Sequence, residues 1–290
     1  MTQDKSFGNA PFDRKLLRIR RQRAAGNLAR HDFLLRETGG RLLERIADER
    51  REFSLALNLG CHAGEICDLL PQYPGHGIGQ IVQCDMTYGM AEAAYGLRIV
   101  GDEEALPFAP HSFDLVMNIL GLHAVNDLPG SLVQIRRILR QGGLFLASMF
   151  GGATLHELHY CLSQAEIECE GGLSPHIAPM VDVRDAGALL QRAGFARPVA
   201  DIETITVSYS DPMALMRELR GMGESNMLHT RRRSFLRRET LAAATQLYHE
   251  KFSGPDGRIR ATFQIVNLTG WAPAADIGPP AEIRRRVLRQ

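Results

Sequence analysis

The chain has 290 residues, of which 44% are hydrophobic and 23% charged, enough apolar material to bury a sizeable core and too much for intrinsic disorder of the body. Lys+Arg 34 against Asp+Glu 33 leaves a net charge of +1, so no global attraction to nucleic acid or to a membrane surface is expected. All the bases except Lys5, Lys15 and Lys251 are arginines, and no lysine follows a glycine, which excludes a phosphate-gripping P-loop.

The first thirty residues are basic, and 12–25 reads as a cationic helix whose apolar part is Leu16, Leu17 and Ile19. An Arg-rich amphipathic opening also resembles a transit peptide, but a helix packed on the main domain is the better reading. A helix is expected over 33–51, interrupted at Gly39-Gly40. The period then changes. Short apolar runs at 53–60, 79–85, 97–101, 113–120 and 143–149 read as buried parallel strands, with a helix over 129–141 between the last two. This alternation predicts an α/β, doubly wound (Rossmann-like) sheet.

Beyond Gly151 the alternation loosens. Helices are expected over 154–170, 183–193, 212–222 and 234–252, with strands over 202–209 and 261–268. The domain reading is a basic extension over 1–30 and a main domain over 31–271 that contains a mostly helical accessory region over 151–260. A flexible tail follows over 272–290. Five cysteines, an odd number without a C-x-x-C pair, argue against a disulfide framework or a structural zinc site. They point to a reduced, cytoplasmic setting. No uncharged apolar run reaches the ~18 residues of a spanning helix, so no integral membrane segment is expected.

In an open parallel sheet, ligands bind outside the carboxyl ends of the strands. Three such ends carry suitable groups. Asn58-Leu-Gly60-Cys-His-Ala-Gly64 turns from strand to helix, and its glycines let backbone approach a ligand. Asp85 ends the next strand and can accept both hydroxyls of a ribose. Asp102-Glu103 follows the third and can accept from an adenine amino group. The dinucleotide pattern G-x-G-x-x-G is not met, because His62 and Glu65 stand at its second and third glycines.

The G-x-x-x-G spacing followed by two acids resembles the class I S-adenosylmethionine-dependent methyltransferases, whose first strand ends D/E-x-G-x-G-x-G. Asn58 replaces the acid of that pattern and His62 its central glycine. Segments 102–108, 111–116 and 122–129 are similar to the methyltransferases of the biotin pathway, and still more to the assembly factor 5 family of respiratory complex I. Phe12-Asp-Arg14, Met149-Phe-Gly-Gly152, Glu170 to Ile177, Gly221 to Asn226 and Ala261 to Ile265 resemble the latter family, over about Phe12 to Trp271. The resemblance implies a seven-stranded methyltransferase sheet with helical insertions and S-adenosylmethionine as cofactor. Its cofactor-binding residues would be Asn58, Gly60, His62, Gly64, Asp85, Met86, Asp102, Glu103 and Asn118. It further implies a protein substrate, an arginine of a complex I subunit to be methylated or hydroxylated during assembly, with peripheral association at the inner membrane. A small-molecule or acyl-carrier O-methyltransferase and a non-catalytic assembly chaperone stay open beside it.

His123, just past the fourth strand, can act as a general base or be a helix-start histidine bonded to backbone. Glu224 can pair with a substrate guanidinium or belong to a polar turn. Asn126 or Asp127 is expected to cap the following helix. His156 and His159, one helical turn apart, read as a polar face, and no metal site is expected. Arg231 to Arg233 with Arg237 and Arg238 read as a solvated face, and Met213, Met216, Met222 and Met227 as core fillers.

Overall fold

The computed structural model describes residues 10–274, so the expected tail lies outside the described residues except for 272–274. The apolar runs form seven strands: β1 (Phe53–Leu59), β2 (Ile78–Asp85), β3 (Leu97–Val100), β4 (Phe113–Ile119), β5 (Leu139–Phe150), β6 (Ala196–Tyr209) and β7 (Ile259–Trp271). They lie in one sheet of order β3-β2-β1-β4-β5-β7-β6. The first five are parallel, and β7 runs antiparallel between β5 and β6. This is the α/β, doubly wound sheet that the alternation predicts, with the seven strands that the resemblance implies.

Around it, among the described residues, stand α1 (Arg14–Ala24), α2 (Phe33–Asp48), α3 (Glu65–Leu69), α4 (Tyr88–Ala93), α5 (Leu128–Ile138), α6 (His156–Glu170), α7 (Val183–Arg192), α8 (Pro212–Gly221) and α9 (Arg238–Phe252). Side chains alternate across a strand, so each central strand feeds two cores. Leu115 and Met117 of β4 join one cluster with Leu43, Leu158, Leu215 and Tyr248. Val116 between them joins the other, with Leu132, Ile135 and Leu190 of α5 and α7.

Three expectations are corrected. α2 runs through Gly39-Gly40 without a break, because both glycines are sites of close packing. A Cβ on Gly39 would lie 3.2 Å from Ile119 Cδ1 and Leu69 Cδ1, and one on Gly40 2.3 Å from the Tyr73 hydroxyl. β3 is not a buried strand, since it forms a sheet edge and all four of its residues are exposed. Met213 is exposed, whereas Met222 and Met227 are buried.

The basic opening packs on the domain. Asp13 caps α1 by accepting from Leu16 N at 3.0 Å. Phe12 and Asn126 exchange two hydrogen bonds, from Phe12 N at 2.8 Å and from Asn126 Nδ2 at 3.2 Å. Asp127 takes the capping role on α5, accepting from Gly130 N at 2.8 Å. These contacts hold α1 across the carboxyl edge of the sheet, over the strand ends where a ligand site is expected.

Candidate functional site

The turn after β1 follows its glycines. Gly60 (φ +64°) and Gly64 (φ +93°) take left-handed conformations, and a Cβ on Gly60 would meet Asn118 Nδ2 at 3.1 Å and Glu103 Oε1 at 3.4 Å. Asn118, at the end of β4, is spent on backbone: its Nδ2 donates to Leu59 O at 2.8 Å and its Oδ1 accepts from Gly121 N at 3.1 Å. Gly60→Ala is therefore expected to cost about 1–2 kcal/mol through backbone strain and the displaced Asn118. A urea midpoint equal to that of the unsubstituted chain would contradict this.

His62 sits at φ +50° with its ring inside the protein, 4% exposed. Its Nε2 lies 2.8 Å from Ile119 O. A carbonyl only accepts, so Nε2 carries the proton and Nδ1 faces the interior as an acceptor without a hydrogen-bond partner. Burial, and after it the charge of Arg21, pulls the imidazole down to about 4. The unfolded chain takes up this proton near pH 6.5 and the folded chain only near 4, so the stabilising difference is complete above pH 6.5 and is lost as pH falls toward 4. Urea unfolding of His62→Asn should thus lose less stability between pH 7 and 4.5 than the unsubstituted chain, by on the order of 2 kcal/mol. Parallel pH profiles would refute it.

Asp85 is fully buried. Its Oδ2 accepts from His62 N at 3.2 Å, and its Oδ1 from Thr87 N at 2.8 Å and Thr87 Oγ1 at 2.9 Å, so the carboxylate organises the turns after β1 and β2. Burial raises its pKa, against the pull of Arg21. Met86 beside it is buried. At the end of β1, Asn58 donates through Nδ2 to Gln83 Oε1 at 2.8 Å, which leaves its own Oδ1 buried and unpaired.

The acids after β3 are held by α1. Arg14 reaches Asp102 and donates to Glu103 Oε2 at 2.7 Å, while Arg18 reaches Asp102 at 3.3 Å. Arg21, with no exposed surface, lies 3.9 Å from Glu103 Oε1 and 3.3 Å from Glu224 Oε1. The other oxygen of Glu224 faces His123 Nε2 at 3.0 Å. Burial opposes the charge of Glu224, but His123 and Arg21 together hold its carboxyl down, to about 2. His123 also packs its ring on Phe150, with centroids 4.6 Å apart. The structure thus joins His123 and Glu224, 101 residues apart in sequence, into one pair.

Two openings flank this pair and the arginines. A cleft of about 720 Å³ lies between α1 and the ends of β2 and β3, with Met86, Gly101, Asp102 and Ala105 on one side and Arg18, Ile19 and Gln22 on the other. A chamber of about 220 Å³ lies beyond Glu224, lined by Phe150, Leu158, His176, Met216 and Phe263 among others. The Gly60–Gly64 turn lines neither opening, and the space at Gly60 is taken by Asn118 and Glu103. Between the openings, buried polar atoms remain without hydrogen-bond partners. Among them are the acceptors Asn58 Oδ1, His62 Nδ1 and Glu103 Oε1, the donors Arg14 Nε, Arg21 Nε and Arg21 Nη1, and His123 Nδ1. Buried groups of this kind call for partners, and this set fits a ligand that both donates and accepts, such as the ammonium and carboxylate of an amino-acid tail.

Sequence reasoning did not single out Arg14 and Arg21. The signal was present: Arg14, Leu17 and Arg21 fall at i, i+3 and i+7, so one helix face carries both arginines with a core leucine. The accessory region adds a second network that the sequence reading left as polar turns. Glu166 accepts from Ser174 N and Oγ at 2.6 Å each, from His176 at 2.9 Å and from Arg232 at 3.0 Å. These bonds wrap residues 171–182 over the chamber. Arg232 and Arg231 are therefore internal ties, to Glu166 and Asp13, rather than a purely solvated face. His156 bonds to Ala153 O, and no group of three or more metal-ligating side chains occurs among the described residues.

Residues 57–147 match a family described as methyltransferase domain. The chain is 42% identical to the mouse protein named arginine-hydroxylase NDUFAF5, mitochondrial, over 93% of this chain and 80% of the other. The human protein of that name is also 42% identical, over 93% and 79%. A malonyl-[acyl-carrier protein] O-methyltransferase of Gallionella capsiferriformans is 30% identical over 91% and 92%. Among solved structures, the YcgJ protein of Bacillus subtilis superposes with a TM-score of 0.55 at 15% identity, covering 81% of this chain and 99% of that one. A SAM-dependent methyltransferase of Thermotoga maritima gives 0.51 at 15%, covering 88% and 99%. At such identities the likeness shows the fold alone. The cytoplasmic setting read from the cysteines is overturned, because the mouse, rat and human relatives are all named mitochondrial. Free thiols report a reducing environment, and that is not particular to the cytosol.

Proposed function

Because the chain belongs to the arginine-hydroxylase NDUFAF5 family of methyltransferase-fold enzymes, we propose that it binds S-adenosylmethionine beneath α1 and modifies an arginine of a complex I subunit during assembly. The observation that carries this reading is Glu224. It is a largely buried carboxylate that already holds one guanidinium, that of Arg21, and it borders a chamber large enough for another side chain. A carboxylate in low dielectric with a fixed imidazole beside it suits guanidinium recognition.

In this reading the cleft beside Met86, Gly101 and Asp102 takes the adenosine, and Asn58, His62, Glu103 and Arg21 meet the amino-acid tail. Bound S-adenosylmethionine supplies an electrophilic methyl carbon on a sulfonium. The protein's share is to align and desolvate. α1 roofs the cleft, Glu224 orients the incoming guanidinium, and His123, held through Nε2 by Glu224, presents its unpaired Nδ1 as a proton acceptor.

Calorimetry with S-adenosylmethionine and with its demethylated product tests the cofactor, and absence of heat at millimolar ligand overturns this part. Mass spectrometry of the candidate complex I subunit tests the reaction. A gain of one methyl group on arginine supports methyl transfer from the sulfonium. A gain of one oxygen supports the arginine acceptor but requires dioxygen and a two-electron reductant in place of methyl transfer, and an unmodified arginine in cells that need the protein favours a chaperone. A second reading, an acyl-carrier O-methyltransferase, rests on the relative at 30% identity. It predicts methyl transfer to a malonyl carrier and none to protein arginine.

A further inference from the structure

A third opening, of about 560 Å³, lies between α1 and α8 and meets the cleft beside Met86 and Asp102 only at Arg23, which lines both. Its walls carry Arg20 and Arg23 from α1, Arg217 and Arg220 from α8, and His31. Among the described residues no carboxylate lies within 4 Å of any of these four guanidinium groups, and the nearest acid on α8, Glu218, is engaged by His31 at 2.8 Å. Asp211, at the start of α8, is only a more distant neighbour of Arg217. Arg20 already donates to Asn226 O, and burial and Arg231, joined by Arg220 and Arg23, hold its guanidinium below its ordinary value against the pull of Asp13, so cations outweigh acids around it and a bound anion would relieve them.

We propose that this cleft docks an acidic segment of the protein substrate, whose carboxylates pair with Arg20, Arg23, Arg217 and Arg220 while the target residue enters the neighbouring chamber. Arg220 and Ser225 line both openings, so a bound chain passes directly from one to the other. The spacing favours a peptide. Each wall holds two arginines one helical turn apart, and carboxylates at alternate positions of an extended strand recur at a similar interval.

This inference rests on the protein-substrate reading above but not on the cofactor, so a binding assay without S-adenosylmethionine separates the two. Fluorescence anisotropy of the full chain with a labelled peptide of alternating Asp and Gly should show binding, and the Asn-Gly counterpart should not bind. Arg217→Gln/Arg220→Gln on one wall, and Arg20→Gln/Arg23→Gln on the other, should each weaken binding by about tenfold or more. Arg184→Gln/Arg192→Gln on α7, with the same change in net charge, should alter it by less than about twofold. Equal losses in all three double variants would reduce the effect to bulk charge and overturn the proposal. Binding of the Asn-Gly peptide would do the same. Displacement by inorganic phosphate far more effective than by chloride of equal ionic strength would assign the cleft to a compact anion instead.

Discussion

Arg21→Met is expected to destabilise the fold by about 3–5 kcal/mol at pH 7.5, the scale found when one partner of a buried ion pair is removed. Arg21 has no exposed surface and stands between two carboxylates, Glu103 with none and Glu224 with 8% of its side chain exposed. Methionine fills much of the volume but leaves Glu103 to Arg14 alone and Glu224 to His123 alone, each short of a buried counter-charge. The pH dependence identifies the cause. Without Arg21 the Glu224 carboxyl, held down to about 2 in the unsubstituted chain, ionises less readily in the folded state. The stability gap between variant and unsubstituted chain should then narrow as pH is lowered below about 4.5 toward 2. Urea unfolding at several pH values measures it. A loss below about 1 kcal/mol at pH 7.5, or a gap that widens in acid, would show that the guanidinium is not the counter-ion of these acids.

Substitution of Glu224 by glutamine separates binding from chemistry. The amide keeps the shape and can still accept from His123, but it removes the charge that faces both a guanidinium and an imidazole. We expect modification of the protein substrate to fall by about 100-fold, equivalent to about 2.7 kcal/mol of lost interaction, while affinity for S-adenosylmethionine changes by less than about threefold. If affinity for the cofactor collapses instead and turnover of bound complex is unaltered, Glu224 belongs to the cofactor pocket and not to the acceptor. Glu224→Asp should recover part of the lost turnover, since it restores the charge at a shorter reach.

Much of this architecture was legible because parallel strands are buried on both faces, and buried strands leave predominantly apolar runs such as Phe53–Leu59 and Phe113–Ile119. The acids at the strand ends were legible for the same reason, standing where an apolar run stops. The elements that went unread are of two kinds. α4 has six residues, too short for a helical period to show. Gly39-Gly40 read as a break because glycine is a poor helix former in isolation, and only the neighbours Ile119, Leu69 and Tyr73 reveal that its missing Cβ makes room.

The site was half legible. Gly60, Asp85, Asp102, Glu103, His123 and Glu224 were picked out one at a time, but nothing in their spacing says that two arginines from the opening helix lie among them. The positive charges of 12–25 read as a solvent-facing surface, the usual fate of arginine. Arg21 departs from that rule because Glu103 and Glu224, brought together from distant parts of the chain, compensate its burial. Pairings of this kind depend on contacts across 82 and 203 residues, which periodicity does not report.

The placement of β7 has a consequence for biosynthesis. This strand inserts between β5 and β6, each of which pairs with it along most of its length. While the ribosome is still adding residues 259–271, β6 has no neighbour in the sheet and β5 has only β4. A nascent chain therefore shows two long unpaired edges until β7 has emerged, and such edges invite intermolecular pairing. Slow translation through the segment before β7 prolongs that exposure, so the yield of folded protein should depend on codon choice there more than in the βα units that come first.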